Sequence, residues 1–362
     1  MSAIRFLEPG SKPDVPVLGG KGSGLAFLVA GGVRIPPAFV VTADGYRRAV
    51  GPGLRAAVAE RLAAIPAGAS GQALEEHSAA VRALIMDGTE DHPLRGELRE
   101  ACEELLARTG EPALTVAVRS SSIAEDAADR SFAGEHDTYL WVDGADEVDL
   151  RVRQCWASLV TARAVAYRGG AAGAPAAEDL AMAVVVQQMA PARAAGVFMT
   201  LNPSNGDRSK VMIESVWGLG EPLVSGEANP DRFLVDKITG EIVRRDICAK
   251  ATEAVRDPAT GRGVALAEVP PERAAEPSLT PGEVAELVRV ARLVERAAGA
   301  PQDGEFAVLA GEAPDNVCLL QCRPETVWSR KPPKAHAPGR TAMQAVLATL
   351  TQKQNPDPRE AR

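Results

Sequence analysis

Residues 303–323 read DGEFAVLAGEAPDNVCLLQCR, and no other stretch of the sequence constrains the fold as much. Two short apolar runs within it, near 305–309 and 317–323, predict two strands. The two strands would lie side by side if they pair as a hairpin. Apolar residues at helical spacing over 283–298 predict a helix immediately before them.

The second of these strands carries polar side chains that point into one space. Alternation along a strand puts Leu319, Gln321 and Arg323 on one face. Glu305, on the preceding strand, reaches the same space if the hairpin forms. A carboxylate beside an amide oxygen is a ligand pair suited to Mg²⁺, and a guanidinium suits a polyphosphate. The alternative is a polar edge strand without a ligand.

Another predicted strand leads directly into an arginine. Residues 115–122 read TVAVRSSS, in which an alternating run ends at Arg119. Arginine presents a planar fork that grips two phosphate oxygens, and the serine hydroxyls that follow add donors. A structural salt bridge from Arg119 to Glu125 or Asp126 would explain the same residues.

A glycine-rich segment near the N-terminus surrounds a lysine. Residues 19–24 read GGKGSG and precede a helix predicted from about Ser23. Glycines let backbone N–H groups approach a phosphate, a helix N-terminus favours negative charge, and Lys21 adds a mobile positive charge. The segment matches neither the Walker pattern nor the dinucleotide-binding glycine pattern. A flexible turn is therefore the alternative interpretation.

Strand-like and helical patterns alternate through the rest of the chain. Helices are predicted within 52–110 and over 146–168, and residues 255–282 are rich in Pro, Glu and Arg, which indicates a surface excursion. This mixed order predicts an α+β or α/β architecture with two lobes. Short apolar runs predict five further strands, at 39–41, 183–187, 195–200, 211–215 and 232–236.

Composition argues against two classes of partner. With 48 acidic and 40 basic residues the formal charge is −8, and without a basic block neither a nucleic acid nor an anionic membrane surface is expected. No run of about 18 apolar residues occurs, so no membrane span is expected.

Five scattered cysteines without a CxxC pair indicate free thiols in a reducing cytoplasm. Two of them, Cys318 and Cys322, are interpreted as core residues rather than nucleophiles.

Taken together, these segments resemble the N-terminal ATP-grasp domain of the pyruvate phosphate dikinase and phosphoenolpyruvate synthase family. The resemblance covers nearly all of residues 15–330 and keeps the family's order of motifs. Each motif alone is a weak signal, but five in the right order are specific. The similar segments are GGKGSGLAFLVAGGVRIPPAFVVT (19–42), VAVRSSSIAEDAADRSFAGEHDTYLWV (116–142), AGVFMTLNPSNGD (195–207), IESVWGLGEPLVSGEANPDRF (213–233) and LLQCRPETVW (319–328).

The resemblance implies an α+β ATP-grasp fold with two lobes and the nucleotide cleft between them. The lobes would cover 1–190 and 191–330, followed by a linker and tail over 331–362. ATP and Mg²⁺ are the implied cofactors. The implied roles are phosphate binding by Lys21, Arg119 and Arg323, a lid containing Gly134 and Thr138, an adenine contact by Gln187, and Mg²⁺ binding by Glu305 and Gln321.

The family's reaction needs a histidine in a Thr-x-His-Ala type motif, and none of His77, His92, His136 and His336 sits in that context. The resemblance implies that ATP delivers a pyrophosphoryl group to such a histidine. Phosphate then leaves, and the remaining phosphoryl group passes to an acceptor, with AMP as the other product. We therefore expect a partner subunit that carries the phosphohistidine and binds the acceptor. Phenylphosphate synthase is built this way, so phenol is the leading acceptor.

Three alternative functions stay open at this point. They are the ATP domain of a pyruvate-water dikinase (a phosphoenolpyruvate synthase), the ATP domain of an enzyme similar to rifampin phosphotransferase, and a non-catalytic nucleotide-binding regulatory subunit. The sequence also departs from the family's motifs, which predicts altered local geometry. These departures are Ala38, Leu201, Asn202, and DGEF at 303–306 where the family has DIEW.

Overall fold

The computed structural model of the chain describes residues 2–66, 68–123, 138–167 and 180–329. Two antiparallel sheets form its framework. The first sheet contains β1 (Ile4–Phe6), β2 (Ala38–Val41), β3 (Thr115–Ser122), β4 (Thr138–Asp143) and β5 (Met182–Gln188), in the spatial order β1-β2-β5-β3-β4. The second contains β6 (Ala194–Met199), β7 (Lys210–Trp217), β8 (Asp231–Asp236), β9 (Ile242–Asp246), β12 (Gln302–Val308) and β13 (Val317–Pro324), in the order β13-β12-β6-β7-β8-β9. A separate hairpin consists of β10 (Thr252–Arg256) and β11 (Val264–Glu268).

Helices pack against these sheets. Those of the described residues are α1 (Val15–Ala30), α2 (Ala43–Ala63), α3 (Gly71–Gly88), α4 (Arg95–Thr109), α5 (Ala145–Ala157), α6 (Ala162–Tyr167), α7 (Glu221–Val224), α8 (Pro271–Ala274) and α9 (Pro281–Ala298). α9 begins with a capping box, in which Thr280 and Glu283 satisfy each other's backbone N–H groups. No helix within the described residues combines the length and apolar character needed to cross a membrane.

Two hydrophobic cores lie on opposite faces of the first sheet. On one face, Val116 and Val118 of β3 join the side chains of α2 to α5, and fully buried Trp156 lies among them. On the other face, Val40 and Val185 join α1, α9 and the second sheet. Side chains alternate along β3, so Arg119, which lies opposite Val185, is on the other face from Val116 and Val118. That face is turned toward the second sheet.

Residues up to Pro324 form one compact unit, and Glu325–Arg362 form another. In the described part of the latter, the Glu325 carboxylate accepts hydrogen bonds from the backbone N–H groups of residues 327, 328 and 329. The proposed lobe boundary at 190/191 falls between β5 of the first sheet and β6 of the second. The predicted tail, 331–362, lies outside the described residues.

The predicted α+β class is confirmed, because the strands of both sheets pair antiparallel and the helices lie on their faces. All of the predicted strands are present, most of them one or two residues longer than expected. The predicted surface excursion over 255–282 contains β11 and α8. Most of its residues are exposed or only partly buried.

Two helix boundaries differ from the prediction. α1 begins at Val15 rather than near Ser23, because Pro16 can occupy the first helical turn. The helix is interrupted at Gly19, whose φ of +67° is costly for other residues, so the glycine-lysine segment is a break within helical structure. The single helix predicted over 146–168 is divided into α5 and α6 by a 3₁₀ turn at Ser158–Val160.

The predicted faces of β13 need one correction. The register between β12 and β13 shifts after Glu305, so that Gln321 lies opposite Glu305 while Leu319 lies opposite Phe306. Leu319 is consequently buried in the core with Cys322, not on the face that carries Gln321. A bulge at Leu320 accounts for this, because one extra residue reverses the alternation on its N-terminal side.

Gly304 has a structural explanation in its neighbour across the sheet. Gly304 lies opposite Phe198 of β6, and a Cβ at position 304 would lie 2.3 Å from two carbon atoms of the Phe198 ring. Phe198 is fully buried. The ring therefore occupies the space that an isoleucine in a DIEW motif would need, and β12 keeps a regular register with β6.

We predict that Gly304→Ile lowers the free energy of unfolding by about 1–3 kcal/mol, because the new side chain overlaps the Phe198 ring. Phe198→Ala alone should cost about 3–5 kcal/mol by opening a cavity. In the double variant the isoleucine fills part of that cavity, so the combined loss should fall short of the sum by at least about 1 kcal/mol. Urea unfolding of the four proteins measures this, and strictly additive losses would contradict the explanation.

Candidate functional site

The side chain of Arg119 connects the two sheets. Arg119 leaves the face of β3 that is turned toward the second sheet, and its Nη2 atom donates to Glu305 Oε2 at 2.9 Å and to Gln321 Oε1 at 2.8 Å. Its Nη1 atom donates to the Leu320 carbonyl at 2.8 Å. The Arg119 side chain is 11% exposed and that of Glu305 is 32% exposed. Three residues predicted to form one site are therefore in direct contact.

Glu305 and Gln321 lie on an open polar face of the second sheet. They are opposite each other across β12 and β13, as the predicted hairpin requires. A cavity of about 180 Å³ lies over this face and is lined by Asp303, Glu305, Gln321 and Arg323, among others. Arg323 is about half exposed, and its Nε lies 3.9 Å from Asp303 Oδ2. The prediction that Gln321 and Arg323 share a face with Glu305 is confirmed.

The segment around Lys21 is held between β3 and β13. The Gly22 N–H donates to Ser121 Oγ at 3.0 Å, and that hydroxyl donates to the Leu18 carbonyl at 2.8 Å. A Cβ on Gly24 would lie 2.5 Å from the carbonyl oxygen of Cys322. Lys21 is partly buried. Its backbone is thus fixed beside the strands that carry Arg119, Gln321 and Arg323.

Two further predicted residues lie on the same face of the first sheet as Arg119. Thr138 is opposite Arg119 at the start of β4, and Gln187 is opposite Ala117 in β5. Gln187 is 2% exposed, and its amide nitrogen donates to the Pro36 carbonyl at 3.4 Å. Thr138 lines a second cavity of about 470 Å³ along β4, α5, α7 and the β10–β11 hairpin. Gly134 lies outside the described residues.

Ser121, one of the serines expected to add donors, follows Arg119 by two residues and shares its face. Two neighbours of the site were not singled out from the sequence. Asp303 precedes Glu305 by two residues on β12, so strand alternation could have identified it. Glu214 lines the smaller cavity from β7, where it accepts a hydrogen bond from Arg232, and only its place in the family-like segment 213–233 marks it.

The alternative interpretations can now be compared with the structure. Arg119 is paired with Glu305, while Glu125 and Asp126 lie outside the described residues. The thiols of Cys318 and Cys322 are buried as predicted, and burial raises their pKa to about 11 and about 12 respectively. For Cys322 the negative charge of Asp303 contributes to this rise. Thiols in this state are poor nucleophiles.

The oxygen donors fit a hard divalent cation that arrives with a ligand of its own. Within the described residues, no group of three or more His, Cys, Asp and Glu side chains is arranged to hold a metal ion. Glu305 and Gln321 offer one carboxylate and one amide oxygen, and Mg²⁺ commonly binds one or two protein carboxylates together with substrate phosphates and water. Arg119, Arg323 and Lys21 are the cations that would bind such phosphates.

The fold and the arrangement of these residues define an α+β nucleotide-binding domain of the ATP-grasp type. A sequence profile of the family described as "Pyruvate phosphate dikinase, AMP/ATP-binding domain" matches residues 15–343, and the chain belongs to this family. The match begins at the first residue of α1 and includes all of the site residues named above.

Curated relatives agree with this assignment. The chain is 38% identical over 358 residues to a phosphoenolpyruvate synthase of Aeropyrum pernix, covering 92% of the chain and 43% of the relative. It is 40% identical over 356 residues to a probable phosphoenolpyruvate synthase of Staphylothermus marinus, covering 92% and 42%. It is 41% identical over 330 residues to the prodigiosin synthesizing transferase PigC of Serratia marcescens, covering 91% and 33%. The chain spans less than half the length of these relatives.

We predict that Gly24→Ala destabilises the protein by about 1–3 kcal/mol, because its methyl group would overlap the Cys322 carbonyl and force α1 away from β13. Gly31→Ala, at the end of the same helix, is the matched control, since a Cβ there would meet neighbouring atoms at an ordinary 3.5 Å. Thermal unfolding of both variants tests this. Equal unfolding temperatures would contradict the close approach of α1 to β13.

We also predict that Cys318 and Cys322 resist iodoacetamide at pH 8 in the folded protein. Both thiols are buried, and their raised pKa leaves little thiolate at that pH. Cys248, which is only partly buried, serves as the internal control and should react first. Peptide mass spectrometry quantifies the labelling, and rapid modification of Cys322 would overturn its interpretation as a core residue.

Proposed function

We propose that this chain is the ATP-binding part of a dikinase-type phosphotransferase. In this reaction the histidine nitrogen attacks the β-phosphorus of ATP, the bond to the α-phosphate breaks, and AMP leaves. Water then releases the terminal phosphate, and the remaining phosphoryl group passes to an acceptor. The observation that carries the proposal is the contact of Arg119 with Glu305 and Gln321, which joins the two sheets beside a cavity that Glu305 and Gln321 both line.

In the proposed site the chain supplies positioning and charge rather than a covalent intermediate. Lys21, Arg119 and Arg323 would neutralise the phosphates, and Glu305 with Gln321 would hold Mg²⁺. The metal ion, when bound, would neutralise charge that develops on the phosphate oxygens. The nucleoside end of ATP would lie toward Gln187. Thr138 and Gly134 would belong to a lid over the phosphates.

The histidine that receives the pyrophosphoryl group is proposed to belong to a partner subunit. Of the histidines within the described residues, His77 is exposed on α3. His92 is buried, with Nε2 2.7 Å from Asp149 Oδ1, and its ring packs against Trp156. Both histidines belong to the α3–α4 region, which packs on the face of the first sheet opposite Arg119. This position supports the proposal that the acceptor histidine is neither His77 nor His92. His136 and His336 lie outside the described residues.

For the final acceptor we propose phenol, bound by the partner, as the likeness to the phenylphosphate synthase subunit implies. Pyruvate is the second candidate, because two of the relatives above are named phosphoenolpyruvate synthase or probable phosphoenolpyruvate synthase. The five cysteines are free thiols, which supports the cytoplasm as the compartment of this reaction.

We predict that the chain, mixed with a phosphohistidine-domain protein encoded beside it, converts ATP to AMP and phosphate in the presence of Mg²⁺. Lys21→Ala and Arg323→Ala should each lower the rate by at least about 100-fold, because each removes a cation from the transferred phosphates. Arg244→Ala is the control, since this arginine pairs with Asp246 on edge strand β9 and is 70% exposed. AMP is measured by chromatography, with phenol and pyruvate compared as acceptors.

The same assay separates catalysis from regulation. Loss of AMP formation in Glu305→Ala supports phosphotransfer, because the proposed metal ligand is gone. If the chain is a regulatory subunit, the Glu305→Ala variant should still bind ATP and activate its partner. Absence of AMP formation with every neighbouring histidine-bearing protein would contradict the proposal.

A further inference from the structure

One guanidinium nitrogen holds both of the oxygen atoms proposed to bind the metal ion. Arg119 Nη2 lies 2.9 Å from Glu305 Oε2 and 2.8 Å from Gln321 Oε1. The other terminal nitrogen is fixed on the Leu320 carbonyl. The whole fork of Arg119 therefore rests on the β12–β13 hairpin rather than pointing freely into the cavity.

A divalent cation and this guanidinium compete for the same oxygens. Mg²⁺ binds oxygen ligands at about 2.1 Å, so a bound ion would bring two positive charges within contact distance of Nη2. Arginine keeps its charge at all ordinary pH values, so the conflict cannot be relieved by loss of a proton. Glu305 and Gln321 become available to a cation only when the Arg119 side chain moves to another anion.

A polyphosphate is the anion that fits this exchange. Guanidinium groups bind phosphate oxygens in two places at once, and Arg323 lies on the same open face to bind other oxygens. Once Arg119 contacts phosphate, Glu305 and Gln321 can bind a cation that the same phosphate also binds. The Glu305 side chain, 32% exposed at the cavity, is accessible for this rearrangement.

We infer that Arg119 acts as an internal counter-ion that excludes free divalent cations from Glu305 and Gln321 until a polyphosphate takes up the guanidinium. The site then accepts the metal–nucleotide complex and not the metal alone. Metal and nucleotide binding are coupled, each raising the affinity for the other by the same factor. This inference rests on the function proposed above.

The test is Mn²⁺ binding to the intact chain, followed by electron paramagnetic resonance of the free ion, with and without a non-hydrolysable ATP analogue. The wild-type chain should bind Mn²⁺ weakly alone and at least about tenfold more tightly with the analogue, the size of effect expected when one adjacent charge is removed. Arg119→Ala should bind Mn²⁺ alone at least about tenfold more tightly than wild type. Adding Glu305→Gln to that variant should abolish the gain.

Arg244→Ala is the control, because it removes an exposed arginine that pairs with Asp246 on edge strand β9 and lies outside the cavity. It should leave the affinity for Mn²⁺ alone within about twofold of wild type, far below the change expected for removing an adjacent charge. Arg119→Gln is a second variant of similar size, and circular dichroism of each protein establishes that it is folded.

The outcomes distinguish this inference from the proposed function. In one outcome the wild-type chain binds the Mn²⁺–analogue complex, but Arg119→Ala and Arg119→Gln bind Mn²⁺ alone no more tightly than wild type. That outcome would overturn the inference and leave the proposed function standing. A wild-type chain that binds Mn²⁺ alone as tightly as with the analogue would also overturn it. Failure of the wild-type chain to bind the analogue at all would overturn both.

Discussion

A single guanidinium, that of Arg119, meets both sheets, and the candidate site depends on it. The charge is largely buried, and a buried charge without a partner is strongly destabilising. β3 and the β12–β13 hairpin must therefore remain close enough for Arg119 to reach Glu305 and Gln321. The same constraint that holds the two sheets together also keeps Arg119 beside the two oxygen donors of the cavity, Glu305 and Gln321.

The close approach of α1 adds a second constraint to the first. Gly19 and Gly24 allow the helix to lie against β3 and β13 with no side chain between the backbones. Ser121 then links the helix and the strand, since its hydroxyl accepts from Gly22 and donates to Leu18. The glycines of this segment thus have a packing role that is independent of any contact with phosphate.

The local patterns in the sequence predicted much of the fold because they depend on neighbouring residues. Strand alternation was sufficient to place Gln321 beside Arg323 and to orient both toward Glu305. It failed at Leu319, because the bulge at Leu320 is set by pairing with β12 and not by the residues of β13. The break at Gly19 was missed for a similar reason, since the neighbours that require it are distant in sequence. Gly134 and the tail, 331–362, stay predictions.

Charged pairs also show why a motif does not by itself identify a site. Asp231 and Lys250 form an ion pair with side chains that are 0% and 1% exposed, and Ser278 donates two further hydrogen bonds to the Asp231 carboxylate. This pair is saturated and closed to ligands, so its role is structural. Arg119 instead pairs with Glu305, which lines a cavity and is 32% exposed, so this pair is open to a ligand on one side. Both pairs look equivalent in the sequence, and only the structure shows that one is closed to solvent while the other has an accessible carboxylate.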